Sequence, residues 1–436
     1  MLSRRNLLGA LGGMAGVPAR NSAQVRGRRP PNVVLIVADY MGYGDTEPYG
    51  AKDVRTPNLK RLAQEGVRLT DAYASAPICV PSRSGLLTGR YQQRFGVETN
   101  PGGIGGAGIP ASESTLAELL KKADYATSMT GKWHLGFDSQ YHPIARGFDE
   151  SLAFNSWSID YFSHRTPLGS PGLYDGKRLI QVDGYSTDLF TDRAVSFIQR
   201  SQSRPFLAYV AYNATLPPHQ SPRRPEDVRA KNSEPVSMDV WHRTTRRDYL
   251  DTIEALDAGI GRILDALDRT RVAQNTIVIF TCDHGGMGPV RHTPLSQGFR
   301  TLGEGGIRVP FLVRWPGGLP AGRVSGQQAI LMDVVATTLA ASRVEPAHPL
   351  DGIDLAPILR GDAPIGERVF CWRLDKARAV RKGRWKYRDE EGPSLFDLET
   401  DISEKNDVAP RHPEVVSDLR TLLAEWERAV RPSEAR

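Results

Sequence analysis

The run from Cys79 to Arg90 holds the residues of this chain best suited to chemistry. It begins Cys79-Val80-Pro81-Ser82-Arg83 and ends Leu87-Thr88-Gly89-Arg90. Taken alone, a cysteine is most often a small buried residue or a metal-ligating thiol. Ser82-Arg83 is expected to start a helix, and a helix N-terminus stabilises an anion through its free N–H groups and its dipole. The pattern therefore places a thiol beside a predicted anion-binding position.

Polar residues suited to bind metal ions or anions follow several strand-like runs. Four such runs, 33–38, 125–130, 206–211 and 276–281, are predicted strands of one sheet. Ligands bind at the carboxyl ends of strands in an open parallel sheet, so the polar residues that follow are predicted to gather at one rim. These residues are Asp39, Lys132, His134, Asp283 and His284.

Two of these residues, Asp39 and Asp283, offer the hard oxygen ligands that divalent cations bind, and His284 lies beside the second. Each aspartate alone is more simply explained as a turn or helix cap, whereas a pair that follows two buried strands favours metal binding. Such a site suits Ca²⁺ or Mg²⁺ better than Zn²⁺, which prefers more nitrogen or sulfur ligands. A cation held here would polarise a bound oxyanion.

The run from Cys79 to Arg90 resembles the signature of the sulfatase family, and Gly131-Lys132-Trp133-His134-Leu135-Gly136 resembles a second segment of that family in full. Further likeness covers nearly the whole chain after its first residues. The resemblance implies a formylglycine-dependent, type I sulfatase of the alkaline-phosphatase-like superfamily. In that family a maturation enzyme oxidises the cysteine to an aldehyde, formylglycine. One hydroxyl of the hydrated aldehyde attacks the sulfur of a sulfate ester, and the other later expels sulfate.

The resemblance also implies roles for individual residues. Lys132 would contact a sulfate oxygen, Arg83 would orient the aldehyde hydrate, and His134 would contact the hydrate and act in the elimination step. The implied catalytic residues are Cys79, Arg83, Lys132 and His134, and the implied metal ligands are Asp39, Cys79, Asp283 and His284. The expected activity is arylsulfatase-like hydrolysis of a small-molecule or glycan sulfate monoester, with calcium or magnesium. A phosphomonoester or phosphonate hydrolase on the same scaffold, and a sulfated-glycan-binding protein without catalysis, are the alternatives.

Three positions depart from the family pattern. Tyr40 stands where sulfatases usually have a second aspartate, Leu216 where they usually have a histidine, and Phe299 where they usually have a lysine. The changes weaken the metal site and remove groups that bind sulfate and protonate the leaving alcohol. General acid catalysis is typically worth about 10²–10⁴ in rate, so an active enzyme should favour esters of acidic alcohols such as phenols. His219 and Arg300 are near neighbours in sequence, and the sequence leaves open whether their side chains substitute for the lost groups or point away.

Strand-like runs that alternate with helical segments predict an α/β fold. Continuous apolar, β-branched runs such as 33–38 are typical of strands buried on both faces of a parallel sheet. The expected architecture is an alkaline-phosphatase-like, mostly parallel sheet flanked by helices, forming a catalytic domain at 31–345. From 346 to 436, short strand-like pieces and a last amphipathic helix predict a small C-terminal α+β subdomain. Helices are predicted near 57–63, 112–123 and 249–267.

The composition is that of an ordinary globular protein, since 40% of the 436 residues are apolar and 24% are charged. The formal net charge of +6 includes three arginines within the first 23 residues. The chain carries no basic stripe or nucleic-acid-binding motif, so no nucleic-acid partner is expected. Its three cysteines cannot form a disulfide framework. The loops 157–184 and 222–241 are expected to shape the pocket for the organic half of the substrate.

The N-terminus is typical of a targeting segment. Ser3-Arg4-Arg5-Asn6-Leu7-Leu8 resembles a twin-arginine export signal, and a weakly apolar stretch follows to Val17. An ordinary secretory signal or a lipoprotein leader is the alternative. The stretch is shorter than the about 20 residues that span a bilayer, so stable membrane insertion is not expected. Residues 1–23 are therefore a predicted signal, with the periplasm or the exterior as the expected location.

Overall fold

The computed structural model describes residues 29–100, 108–362 and 366–431, so the predicted signal at 1–23 lies outside the described residues. Within those ranges the strands β1 to β16 are Asn32–Ala38, Val67–Leu69, Ala72–Tyr73, Ala126–Lys132, Glu150–Phe154, Tyr174–Asp175, Arg178–Leu179, Phe206–Ala211, Thr276–Cys282, Phe311–Arg314, Arg323–Ser325, Ala329–Ile330, Val369–Leu374, Ala377–Lys382, Trp385–Asp389 and Pro393–Asp397. The helices α1 to α10 are Pro57–Gln64, Cys79–Thr88, Leu116–Lys122, Ser186–Arg200, Met238–His242, Arg246–Arg269, Glu304–Ile307, Asp333–Ser342, Ala356–Arg360 and Pro413–Ala429. None of these helices combines the length and the apolarity needed to cross a membrane.

Ten strands form the main sheet in the order β11-β2-β10-β9-β1-β8-β4-β5-β6-β7. The five central strands, β9 to β5 in that order, are parallel, whereas β10 and the β6–β7 hairpin add antiparallel strands on either side. Of the central strands, β1, β8 and β9 are buried along their whole length, as expected for strands whose sequences are largely apolar on both faces. Two groups of helices pack around the sheet, α1 with α4 and α6, and α2 with α3 and α8. The predicted α/β fold with a mostly parallel sheet is confirmed.

The helices α2, α3 and α6 begin or end at residues other than those predicted from the sequence. α3 is shorter than predicted because Thr115 and Glu118 form a capping box that fixes its start. α6 is longer than the predicted 249–267 at both ends. α2 begins at Cys79 itself and not at Ser82, so the expected helix start was three residues late. The thiol therefore lies in the first turn of the helix.

The C-terminal strands β13 to β16 form an antiparallel sheet, and α10 packs against it. Lys386 of β15 is fully buried and joins this sheet to α7, since its Nζ lies 2.8 Å from Glu304 Oε1 and 2.9 Å from Glu404 Oε1. α7 in turn lies beside the edge of the main sheet, where the N–H of Gly285 donates to the carbonyl of Gly306 at 3.0 Å. A small C-terminal α+β unit is present as predicted, while its boundary at residues 345 and 346 stays a prediction.

Candidate active site

The carboxyl edge of the central sheet carries the residues predicted from the strand ends. β1 and β9 pair so that Ala38 lies opposite Cys282, and Asp39 and Asp283 therefore leave the sheet side by side. Cys79 is brought to the same edge by α2. One ligating atom from each of four buried residues lies within 4.8 Å of the others. These residues are Asp39, Cys79, Asp283 and His284, the predicted metal-ligating set.

Arg83 lies one helical turn after Cys79 and bridges the two aspartates. Its Nη2 lies 2.7 Å from Asp39 Oδ2, and its Nε lies 2.9 Å from Asp283 Oδ2. Its Nη1 also donates to the carbonyl oxygen of Lys132 at 3.0 Å. The three charged side chains that meet here are fully buried, and a buried charge is costly unless it is paired. Arg83 thus fixes Oδ2 of each carboxylate and leaves both Oδ1 atoms outside its ion pairs.

Lys132, the last residue of β4, places its ammonium group between a carboxylate and the thiol. Its Nζ lies 2.6 Å from Asp39 Oδ2 and 3.3 Å from Cys79 Sγ. Burial works against the charged form, but Asp39, with a smaller contribution from Cys79, outweighs it and raises the pKa of Lys132. The preceding Gly131 has a φ of 98°, and a Cβ there would overlap the carbonyl oxygen of Ala211. Only glycine therefore lets the chain deliver the lysine to this point.

The carboxylate oxygens that the two basic residues leave free fit a divalent cation. Asp39 Oδ1 is buried and has no hydrogen-bond partner among the described residues. His284 Nε2 lies 3.1 Å from Cys79 Sγ and 3.6 Å from Asp283 Oδ1. Burial works against protonation of His284, but Asp283, followed by Cys79, outweighs it and raises its pKa to about 9. Two carboxylates and an imidazole whose ligating atoms lie this close together form a candidate metal site.

The N-terminus of α2 offers fewer free N–H groups than expected. The N–H of Val80 donates to Asn100 Oδ1 at 2.9 Å, and Pro81 has no N–H to offer. The N–H of Cys79 remains, together with the helix dipole. Attraction of an anion to this site therefore depends mainly on the two basic side chains, not on a row of backbone donors.

His134 follows β4 and lines the cavity over Cys79. Burial, with the nearby positive charges of Lys132 and Arg83, holds the pKa of His134 well below its usual range, so the imidazole is neutral. Its Nδ1 is buried without a hydrogen-bond partner among the described residues. Its φ of 55° lies in the left-handed region, a conformation that costs a non-glycine residue about 1–3 kcal/mol and is concentrated at functional sites. A neutral imidazole held in this way offers a ring nitrogen for a hydrogen bond.

A cavity of about 530 Å³ opens above Cys79. The three residues that depart from the family pattern, Tyr40, Leu216 and Phe299, all line it. The rings of Tyr40 and Phe299 are in contact, with centroids 4.8 Å apart, and Phe299 lies 5.1 Å from the ring of His284. The departures therefore fall at the site itself, where they replace expected charged or polar groups by a partly aromatic wall.

Neither His219 nor Arg300, the two candidate substitutes for the lost groups, lines this cavity. His219 Nε2 donates to the carbonyl of Thr215 at 2.8 Å, and its Nδ1 accepts from Thr244 Oγ1 at 3.1 Å. The side chain of Arg300 is 60% exposed and lies 3.6 Å from the carboxylate of Asp375. Both side chains are held by partners outside the cavity lining, so neither takes the place of a lost group among the residues that line the cavity.

His242 is a cavity-lining residue that sequence analysis missed. It ends α5, one position beyond the predicted pocket loop 222–241, and no described residue of that loop lines the cavity. The other predicted loop, 157–184, does contribute, and Trp157 and Leu168 are among its lining residues. No local pattern around His242 distinguishes it from a surface helix residue, because its neighbours in the cavity are distant in sequence.

In the variant His219→Gln, the free energy of unfolding is expected to depend less on pH than it does in the wild-type protein. Burial lowers the pKa of His219 to about 3, against about 6.5 for a free histidine. Between these values the unfolded chain binds the proton and the folded chain does not, so wild-type stability falls by up to about 1.4 kcal/mol per pH unit on acidification. Urea unfolding between pH about 7 and about 5 measures the slope in this window. Equal slopes for the two proteins would contradict the assignment of His219 as a buried neutral residue.

Residues 31–344 match the sulfatase family model. The matched range is more than half of the chain. The chain belongs to the sulfatase family. The N-acetylgalactosamine-6-sulfatase of Canis lupus familiaris is 34% identical to it over 85% of this chain and 73% of that protein. Arylsulfatase G of Rattus norvegicus is 30% identical over 93% of this chain and 88% of that protein.

Solved structures share the fold of this sulfatase. Ps i-CgsB, solved also in complex with k-i-k-neocarrahexaose, has a TM-score of 0.83 at 30% identity and covers 91% of this chain and 93% of its own. The phosphonate monoester hydrolase of Agrobacterium radiobacter has a TM-score of 0.67 at 22% identity, over 92% of this chain and 96% of its own, and is similar in fold. The predicted family, the alkaline-phosphatase-like fold and the class of enzyme, a sulfuric ester hydrolase, are confirmed.

Proposed function

We propose that this sulfatase hydrolyses a sulfate monoester, using formylglycine made from Cys79 and one divalent cation. The observation that carries the proposal is the convergence on Cys79 Sγ of Lys132 Nζ at 3.3 Å and His284 Nε2 at 3.1 Å, beside two buried aspartates. A thiol that only filled space would have apolar neighbours. The sulfur here marks the place of the reactive oxygen of the modified residue.

Two groups that the structure does not hold complete the proposed site. Formylglycine, as its hydrate, would supply one hydroxyl to attack the sulfur of the ester and a second whose deprotonation expels sulfate. A cation, Ca²⁺ or Mg²⁺, would polarise the sulfate group and would be held by Asp39, Asp283, His284 and residue 79.

The residues of the chain would then divide the work by position and charge. Lys132 holds its ammonium group beside residue 79, where it stabilises negative charge on a sulfate oxygen, and one such preorganised donor is worth about 10²–10³ in rate. Arg83 holds the carboxylates of Asp39 and Asp283 in place, and it lies in the same helix, α2, as residue 79. His134 has a ring nitrogen without a hydrogen-bond partner among the described residues, and, as the family resemblance implies, it would contact residue 79 and act in the elimination step.

The proposal is tested on protein from its native host. Mass spectrometry of the peptide around Cys79 is expected to show the CH₂SH group replaced by CHO, and the same protein is expected to hydrolyse an aryl sulfate faster than the matched aryl phosphate. Active protein that retains the thiol would overturn the proposed nucleophile. Faster hydrolysis of the phosphate would favour the phosphomonoester alternative, and binding of sulfated glycans without turnover would favour the non-catalytic one.

Sulfate esters of phenols are expected to be better substrates than those of alkyl alcohols. Leu216 and Phe299 line the cavity where acidic or basic groups would assist the leaving alcohol, and His219 points away from it. A phenol leaves without a proton, whereas an alkyl alcohol loses the about 10²–10⁴ that a general acid supplies. A series of esters with rising alcohol pKa should therefore show a steep fall in kcat/KM. Equal or better turnover of the alkyl esters would contradict this expectation.

We infer further that the chain is exported through its twin-arginine-like leader at 1–23 and that a formylglycine-generating enzyme is its partner during maturation. Export of folded protein would leave time for Cys79 to be modified in the cytoplasm. The catalytic domain would span 31–345 and the C-terminal subdomain 346–436, and the extent of the family match, 31–344, supports the first of these proposed ranges.

A further inference from the structure

The wall of the cavity above Cys79 is uncharged. Among the described residues that line it, none is a lysine, arginine, aspartate or glutamate, and more than half are aromatic, proline or leucine residues. The rest include serine, threonine and asparagine.

The charges below this wall are already paired with one another. Arg83 bridges Asp39 and Asp283, and Lys132 pairs with Asp39 beside the proposed position of the sulfate group. A second sulfate or a carboxylate on the organic half of a substrate would enter the cavity without a counter-charge, and transfer of an unpaired charge out of water is unfavourable. The cavity is therefore suited to one sulfate group only.

Three arginines directly adjoin lining residues in sequence, but none of them lines the cavity itself. Arg165 Nη1 donates to the carbonyl of Gly169 at 2.7 Å, and Arg300 lies 3.6 Å from the carboxylate of Asp375. Arg243 follows His242 directly, but it lines a separate groove together with Arg224 and Asp248. A substrate that fills the cavity over Cys79 thus contacts the imidazole of His242 and not the guanidinium of Arg243.

An aromatic pair provides a surface for a ring. Trp157 and His242 lie nearly parallel, with centroids 6.1 Å apart and an interplanar angle of 13°, and both line the cavity. The Nδ1–H of His242 donates to the carbonyl of Met238 at 2.9 Å, which fixes the imidazole, and Trp241 packs edge-on against Trp157. Leu168, 70% exposed, adds an apolar side chain at the rim.

Resting on the proposed function, we propose that the organic half of the substrate is an uncharged ring system that packs against Trp157 and His242. The ester would carry one sulfate group, and polysulfated glycans would be excluded by the missing counter-charge. This chain would then differ in substrate class from the relatives whose names specify sulfated sugars. Aromatic packing of this kind is worth about 0.5–1.5 kcal/mol, so its loss should weaken binding by up to about tenfold.

Calorimetric binding to the Cys79→Ala variant tests the proposal without requiring turnover. A phenyl sulfate is expected to bind at least tenfold more tightly than the same ester with an added carboxylate, and than a disulfated disaccharide. Equal or tighter binding of the anionic compounds would overturn the proposal. Failure of the wild-type protein to hydrolyse any sulfate ester would count against the proposed function alone, because the binding order is measured separately.

Two substitutions, each with a matched control, test whether the cavity wall binds the organic half of the substrate. Trp157→Ala is expected to raise KM for the phenyl ester about tenfold with little change in kcat, whereas Trp385→Ala, which removes a tryptophan packed on His412 in the C-terminal sheet, should leave KM unchanged. Leu168→Lys should improve binding of the carboxylated ester relative to the neutral one, and Leu179→Lys, exposed outside the cavity, should not. Equal effects of a variant and its control would overturn the assignment of this wall as the substrate site.

Discussion

Replacing Cys79 by alanine is expected to lower kcat/KM for a phenyl sulfate by at least about 10⁴-fold. The methyl group carries neither a thiol nor an aldehyde, so no attacking group remains where Lys132 and His284 converge. The residual rate would come only from stabilisation of the sulfate charge by the groups that remain. The side chain is small and its own packing is modest, so the variant should fold with a stability within about 1 kcal/mol of wild type.

Cys371→Ala is the matched control for this loss. Cys371 is also a buried free thiol, but it lies in β13 of the C-terminal sheet and packs against the core of that sheet. Its removal is expected to leave kcat/KM unchanged in protein whose residue 79 has been shown to be modified. A Cys79→Ala protein with wild-type activity would place the attacking group elsewhere, and an equal loss in both variants would indicate a structural effect instead of a chemical one.

The sequence predicts the floor of this site well because buried parallel strands carry a strong signal. Continuous apolar runs identify β1 and β9, and residues that follow two adjacent parallel strands must leave the sheet at the same edge. Asp39 and Asp283 meet there as predicted. The family motifs add Cys79 and Lys132, whose contact at 3.3 Å fits the implied roles. Those roles stay predictions, since proximity alone does not show catalysis.

The upper part of the site could not be predicted from local pattern. His219 and His242 both lie in irregular or short segments, where no hydrophobic period tells which way a side chain points. His219 points away from the cavity because Thr215 and Thr244 hold both of its ring nitrogens, and Thr244 lies well beyond it in sequence. His242 lines the cavity because α5 packs beside Trp157. Such placements follow from tertiary contacts, which a single sequence does not reveal.

Asp39→Asn is expected to weaken binding of Ca²⁺ by at least about 100-fold. Mutation of a residue that only contacts a metal ligand already costs up to about 100-fold in metal affinity, so loss of a ligand should cost at least as much. The amide keeps the volume of the side chain but removes the charge from Oδ1, the buried oxygen that has no hydrogen-bond partner among the described residues. The loss also leaves Lys132 and Arg83 with one carboxylate fewer between them. A fall in kcat/KM of about 10²–10³ should accompany it. Calorimetric titration of chelator-treated protein with Ca²⁺, and then with Mg²⁺, measures the affinity and identifies the preferred cation.

Asp333→Asn separates metal binding from a general loss of stability. Asp333 is likewise fully buried and pairs with an arginine, its oxygens lying 2.6 and 2.8 Å from Arg368, but it belongs to α8, and no described metal-ligating cluster includes it. Both variants break a buried ion pair and should lose stability, since removal of one partner costs about 3–5 kcal/mol. Only Asp39→Asn should lose the cation. Unchanged Ca²⁺ affinity in that variant would show that the carboxylate of Asp39 serves Arg83 and Lys132 alone, and the proposed set of metal ligands would be wrong.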